Sequence, residues 1–246
     1  MEIPFFIGAV LALLFAAYYY FSVNESELWQ GADKTGAPIK NLFSGDNLKN
    51  FLQVFVLVSG LWIALQTVAA ILPGVLGKKV GLSNINVTLT LVVGYLVLVP
   101  ANLGAGLISQ RMGRRLFQIA AGAVMAVVAT SLYYLLISTA PMELVKVIPL
   151  VTVILVLVDL PFVIMPSYIN ERFRTGIRAT GYGLGFSLAV ILPSFCAFYQ
   201  AGLATLIPFD FTVLILLVVG ALLIVGGAPW GPETKSVDLA KYATAT

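Results

Sequence analysis

The stretch GLISQRMGRR, from Gly106 to Arg115, places three arginines within five positions, directly between two long apolar runs. These runs cover about residues 86–109 and 115–138. A helix of about 20 residues crosses the roughly 30 Å hydrocarbon layer of a bilayer, and each run is at least that long. The pattern therefore predicts two membrane helices that are joined by a short, positively charged loop.

Long apolar runs recur along the whole chain of 246 residues, which is 60% hydrophobic and has a mean hydropathy of +1.00. The runs are too long for the strands of a membrane barrel, whereas a helix satisfies its own backbone in lipid. The sequence thus predicts an all-α polytopic membrane protein with about seven transmembrane helices. The runs lie near residues 3–23, 48–76, 86–109, 115–138, 146–169, 179–206 and 211–229.

The positive charges are divided unevenly between the two sides of the predicted bundle. Of the fourteen Lys and Arg residues, only Lys78, Lys79 and Lys146 lie on one side, and the other eleven lie on the alternate loops. Because cytoplasmic loops carry the excess of Lys and Arg, the arginine-rich side is predicted to be cytoplasmic. The N-terminus is then outside and the C-terminus cytoplasmic, in an integral protein of the plasma or inner membrane.

Composition excludes several kinds of site. The chain has no histidine and a single cysteine, Cys196, so a histidine-based metal site, a histidine proton relay and an intrachain disulfide are excluded. No loop combines a nucleophile with a base. We therefore predict no enzyme activity, no catalytic residues, no metal and no cofactor, with the lipid bilayer rather than nucleic acid as the surroundings.

Four short motifs carry a family resemblance. Gly106 to Arg115 resembles the G-x-x-x-D-R-x-G-R-R signature of the major facilitator superfamily. The stretch Pro166 to Gly183 resembles the sugar-porter pattern P-x-x-x-x-E-x-F-P-T-x-x-R-x-x-G, with matches at Pro166, Glu171, Phe173, Thr175, Arg178 and Gly181. The sequence GPETKS (Gly231 to Ser236) is similar to P-E-T-K-G, and NESELW (Asn24 to Trp29) to P-E-S-P-R-W. Gln110 and Arg174 depart from the pattern, where the family usually has Asp and Pro.

The order of the motifs resembles the C-terminal half of a sugar porter or metabolite:proton symporter. The resemblance implies a transmembrane helix like helix six at residues 1–23 and a cytoplasmic inter-half loop at 24–47. It further implies a six-helix bundle at 48–229, like helices seven to twelve, and a cytoplasmic tail at 230–246. The family's first five helices have no counterpart, so the implied partner is an N-terminal half in the same or a separate chain.

The resemblance implies secondary active transport of a small organic solute, coupled to protons. The tail motif favours sugars, whereas the absence of the family's Q-Q-x-x-G-x-N cluster favours carboxylate metabolites, and both remain open. A different interpretation is a truncated or split-gene half that acts as a membrane partner without transporting anything.

One carboxyl group lies far inside an apolar run. Asp159 is twelve residues before Glu171, or roughly 18 Å of helix from the end of its span. An intramembrane carboxylate marks an ion or substrate pathway by default, although a structural bridge between two helices is the alternative. Further candidates for a proton or substrate site are polar or aromatic residues of the apolar runs: Gln66, Trp62, Tyr95, Asn102, Ser187 and Ser194.

The motif residues at the predicted cytoplasmic helix ends are candidates for a gate that breaks and re-forms during transport. They are Gly106, Arg111, Gly113, Arg114, Arg115, Glu171, Arg178 and Glu233. Within this set we expect Arg111, Arg115, Glu171 and Arg178 to make the ion pairs. Arg172 and Arg174 are expected to be solvated anchors.

Overall fold

A computed structural model of the chain describes residues 3–23 and 37–235. The stretch NESELW with Glu25, most of the 24–47 loop, and the tail from Ser236 onward lie outside the described residues. The described part is helical and contains no strand. Its helices are α1 (Ile3–Ser22), α2 (Pro38–Leu42), α3 (Gly45–Lys78), α4 (Asn84–Met112), α5 (Arg114–Val124), α6 (Thr130–Ser138), α7 (Leu144–Asp159), α8 (Met165–Arg172), α9 (Thr175–Ala189), α10 (Ile191–Ser194), α11 (Cys196–Leu203) and α12 (Phe209–Gly227).

Several of these helices continue one another. A π-helical segment, Met125–Ala129, connects α5 to α6, and 3-10 turns at Leu160–Phe162 and Ala228–Trp230 follow α7 and α12. Seven stretches of the described residues are therefore long and apolar enough to cross a membrane, which confirms the predicted all-α polytopic fold. They are Phe5–Ser22, Gly45–Lys78, Asn84–Met112, Arg114–Ser138, Leu144–Arg172, Thr175–Leu203 and Phe209–Trp230.

Helices α3 and α12 form the centre of the bundle. A Cβ atom added to Gly60 would lie 2.6 Å from the carbonyl oxygen of Gly220, and one added to Gly220 would lie 2.6 Å from that of Gly60. Small residues allow this direct contact between backbones, which is a common way for membrane helices to associate. Around it, Leu57, Leu61 and Ala64 of α3 and Leu217 and Ala221 of α12 belong to one fully buried apolar cluster.

The outer helices contribute less to this core. Every side chain from Phe5 to Val23, on and just after α1, is exposed. Only 11% of the residues in the most apolar stretch of α4 are buried, against 56% for α3 and 50% for α12. The apolar surfaces of α1 and α4 are thus available to lipid or to further helices.

Candidate functional site

The helix of the fifth span is interrupted close to its middle. Helix α7 ends at Asp159, and the 3-10 turn that follows contains Pro161, which has no N–H to donate to a helix. Non-helical backbone at membrane depth needs a partner from protein or from water in a cavity. That partner is Gln118 of α5, which is fully buried and donates its Nε2 to the carbonyl oxygen of Pro161 at 3.1 Å.

Asp159 lies at this interruption and is paired with Asn102. The Nδ2 of Asn102 on α4 donates to the Oδ2 of Asp159 at 2.8 Å, and both side chains are partly buried. Within the described residues no Lys or Arg makes an ion pair with Asp159. The Oδ1 of Asn102 is buried and has no hydrogen-bond partner. The pair therefore has unused capacity to bind a proton or a polar solute.

An aromatic cluster lies next to the interruption. The ring of Trp62 on α3 is 6.1 Å from that of Phe162 and 5.7 Å from that of Phe186 on α9, and Tyr182 stacks on Phe186 at 5.7 Å. Phe162 is only three residues after Asp159, in the 3-10 turn itself. The indole Nε1 of Trp62 is buried without a hydrogen-bond partner. Flat apolar rings and one unused donor are thus grouped around Phe162, in the turn that follows Asp159.

The other sequence-predicted residues of the membrane region are not gathered at Asp159. Gln66, Tyr95, Ser187 and Ser194 are all exposed. Ser194 donates its Oγ to the carbonyl oxygen of Val190 at 2.8 Å, within its own helical turn. An exposed amide such as that of Gln66 is costly against lipid, so this face of α3 is better suited to a water-filled pathway or to another protein segment.

A second cluster forms at the arginine-rich end, around Gly113. This residue has φ +97° and ψ 153°, a conformation open to glycine alone, and it separates α4 from α5. Helix α5 then begins at Arg114, with its first N–H groups turned towards Glu233. The N–H groups of Arg114 and Arg115 donate to the Glu233 carboxylate at 2.7 and 3.1 Å. A carboxylate in this position caps the helix and complements its dipole.

The tail itself completes the binding of this carboxylate. The N–H groups of Thr234 and Lys235 also donate to Glu233, at 3.0 and 2.9 Å. Partial burial raises the pKa of the Glu233 carboxyl, but the four backbone N–H donors together outweigh it and leave the pKa below its ordinary value. Glu233 thus binds the segment after α12 to the loop between α4 and α5 as an anion.

An ion pair joins the same loop to the end of α8. Arg114 lies 3.5 Å from Glu171, and with side chains only 16% and 14% exposed the pair is screened less than a surface pair. Arg114 also donates to the Oγ of Ser109 at 3.0 Å, and Thr234 donates its Oγ1 to Glu171 at 2.6 Å. We refer to Arg114, Glu171, Glu233 and Thr234 as the latch, because they connect three spans at one end of the bundle.

Comparison with known proteins identifies the family. The family model described as "Sugar (and other) transporter" matches residues 21–245. The chain belongs to this family. The match confirms the resemblance to sugar porters of the major facilitator superfamily, and with it transmembrane transport of small solutes by an integral membrane protein. Comparisons with curated proteins and with solved structures found no match.

The latch of this transporter uses a different arginine from those expected. Arg111 and Arg115 have exposed side chains that make no ion pair in the described part of the chain. Arg178 donates its Nε to the carbonyl oxygen of Phe173 at 3.3 Å rather than to a carboxylate. Among residues 3–23 and 37–235, Glu171 is the only one of the four expected residues that makes an ion pair. The turn at Gly113 decides this, because it directs the first residue of α5, Arg114, towards α8.

The expectation for Arg172 was also wrong, whereas Arg174 is exposed as expected. Arg172 donates its Nε to the Oε1 of Gln53 at 2.8 Å and a second nitrogen to the Oδ1 of Asn50. Gln53 is buried and donates in turn to the hydroxyl of Tyr168 at 2.6 Å and to the carbonyl oxygen of Gly227 at 3.2 Å. This network joins α3, α8 and α12. Its only sequence signal was a glutamine, Gln53, within an apolar run.

Proposed function

We propose that the transporter couples solute movement to protons and that Asp159 carries the coupling proton. The observation on which this rests is the Asp159–Asn102 pair, which lies about midway along the fifth span and makes no ion pair with a cation of the described residues. An ionised side chain costs a few kcal/mol near the centre of a bilayer, so its presence marks an ion pathway by default. Secondary transporters place such sites beside interrupted helices, as α7 is interrupted here.

We further propose a sugar, or a comparable uncharged polyol, as the solute. Trp62, Phe162 and Phe186 provide flat apolar faces, and Asn102 and Trp62 each offer one unused hydrogen-bonding atom. A carboxylate metabolite would need a cation, and among the described residues none is paired with Asp159. This favours the sugar side of the two substrate classes that the sequence left open.

We propose that residues 48–229 act as the C-terminal half of the transporter, with an N-terminal half supplied by the same or a separate chain. The arginine-rich end is then cytoplasmic, and the latch closes the pathway at that end. Exposed ion pairs contribute only about 0–1 kcal/mol each, and partly buried ones more. A latch of a few such contacts is weak enough for solute binding to open it.

Asp159→Asn tests the proton role in the complete transporter. The amide keeps the shape of the side chain but cannot exchange a proton. We expect accumulation of radiolabelled sugar under an imposed pH gradient to disappear, while counterflow without a gradient continues. The matched control is Asp46→Asn, which changes an exposed carboxylate whose ion-pair partner among the described residues is Lys49. Equal gradient-driven accumulation by wild type and Asp159→Asn would leave Asp159 as a structural bridge.

A second assay distinguishes transport from a non-transporting membrane partner. The purified chain in liposomes should give no saturable uptake by itself, and uptake should appear when an N-terminal half is added or fused. Saturable uptake by the chain alone would reject the half-transporter proposal. Continued inactivity with a correctly folded N-terminal half would favour the membrane-partner interpretation.

A further inference from the structure

A groove lies between α3 and α12 at the end of the bundle opposite the latch. It has a volume of about 400 Å³, within the range of small-molecule sites. Its wall is mainly apolar and includes Ile71, Val75 and Phe209, and its rim carries Lys78, Lys79 and Asp210. Gly74 also lines the groove, and a Cβ atom added there would meet nothing within 4 Å. The groove thus has an open apolar interior, which we call its channel, and a charged rim, which we call its mouth.

The charges at the mouth do not cancel. Lys79 and Asp210 form an ion pair at 3.2 Å, with side chains 43% and 34% exposed. Lys78 is exposed and makes no ion pair within the described residues. One positive charge is therefore left over, at the end of a membrane helix where lysine side chains reach the headgroup region.

We propose that this groove is a binding site for an anionic phospholipid such as phosphatidylglycerol. The phosphodiester accepts hydrogen bonds from Lys78, and one acyl chain lies in the apolar channel beside Gly74. A zwitterionic lipid is disfavoured, because Asp210, the acidic group at the mouth, is already paired with Lys79 and has no charge left for an ammonium group. The groove does not include Asp159, so the proposal stands whether or not transport is proton-coupled.

Two substitutions test the two parts of the site. Lys78→Gln removes the charge that has no ion pair within the described residues. Its matched control is Lys146→Gln, which removes another exposed lysine, whose ion-pair partner in that part of the chain is Glu143. Gly74→Leu fills the channel without a backbone conflict, and its control is Gly77→Leu on the same helix, where a Cβ atom also meets nothing within 4 Å. Gly77 does not line the groove.

The full chain is purified in detergent and titrated with dioleoylphosphatidylglycerol or dioleoylphosphatidylcholine. Native mass spectrometry counts the bound lipids, and thermal melts measure the stabilisation. We expect phosphatidylglycerol to bind and stabilise the wild type more than phosphatidylcholine does. Lys78→Gln should weaken this preference about five-fold, which corresponds to about 1 kcal/mol for one lysine at an anionic surface. Gly74→Leu should abolish the bound lipid, and both controls should retain it.

The proposal fails if the two lipids bind equally or if Lys146→Gln weakens binding as much as Lys78→Gln. It also fails if soluble glycerophosphoglycerol alone gives the full stabilisation, since the site would then bind a phosphodiester headgroup without an acyl chain. A change of oligomeric state in Gly74→Leu without loss of lipid would instead assign the groove to a second copy of the chain. All four variants should melt cooperatively without lipid, which separates loss of the site from loss of the fold.

Discussion

Replacing Gly113 by alanine should destabilise the transporter more than any comparable change in the same motif. Gly113 has φ +97° and ψ 153°, and a Cβ atom there would lie 2.5 Å from the Oε2 of Glu233 and 2.8 Å from its Cδ. A side chain in this backbone region costs about 1–3 kcal/mol. Displacing the Glu233 carboxylate from the start of α5 costs about 1 kcal/mol more, by comparison with lost helix caps.

Gly106→Ala is the internal control for this prediction. Gly106 belongs to the same motif, but it lies within α4, and an added Cβ atom would make only an ordinary contact with Val163 at 3.9 Å. Alanine is favoured over glycine inside a helix by roughly 0.5–1 kcal/mol. We therefore expect Gly106→Ala to be neutral or slightly stabilising, whereas Gly113→Ala loses about 2–4 kcal/mol.

The assay is thermal and denaturant unfolding of the purified proteins in one detergent. A double substitution separates backbone strain from the steric clash with the carboxylate. In a Glu233→Ala background, which lacks the carboxylate, Gly113→Ala should lower the free energy of unfolding by less than it does in the wild type. If Gly113→Ala and Gly106→Ala have the same unfolding midpoint, the turn does not require glycine, and the geometry described for the latch is wrong. If the two effects at positions 113 and 233 simply add, the added methyl group does not meet the carboxylate.

Three further predictions concern the carboxylates and the orientation. Because the native pKa of Glu233 is lowered, the stability that wild type has over Glu233→Gln should be complete at neutral pH. It should shrink as the pH falls below the ordinary glutamate pKa, and a gap independent of pH in thermal melts would contradict this. Asn102→Leu should cost about 1–3 kcal/mol in denaturant unfolding by leaving Asp159 without its donor, and an unchanged midpoint would contradict the pairing. Cysteines at the exposed positions Met112 and Thr139 should react with impermeant reagents from opposite sides, Met112 from the cytoplasm alone, and labelling of Met112 from outside would reverse the orientation.

The backbone conformation of Gly113 also decides where the cysteine for topology labelling is placed. Gly113 is the centre of the charged loop and the obvious place for a probe, but it is buried and has a positive φ. A cysteine there would disturb the latch before it reported any topology. Met112 is exposed and ends α4, so it samples the same loop without this cost.

The sequence alone determined the class of the protein. Apolar length and the placement of charge are properties that one stretch of chain carries by itself, because each membrane helix must satisfy its own backbone and span the same thickness. The seven spans and the family were therefore predictable, the latter from short motifs such as Gly106 to Arg115. The half-transporter arrangement and the orientation are still predictions, since no structural finding tests them.

Tertiary structure decided which side chains meet. Asn102 was one of several polar candidates, and only the packing of α4 against α7 brings it to Asp159, 57 residues further along the chain. Nothing in the sequence marks Gln118 or Gln53 beyond their place in apolar runs, because a buried glutamine acquires a role only when a carbonyl or hydroxyl from another span faces it. Arg114, the partner of Glu171, is partly buried, whereas its neighbour Arg115 is exposed. That difference is set by the rotation of α5 after the turn at Gly113, and helix rotation is fixed by contacts between spans rather than by the order of residues within one.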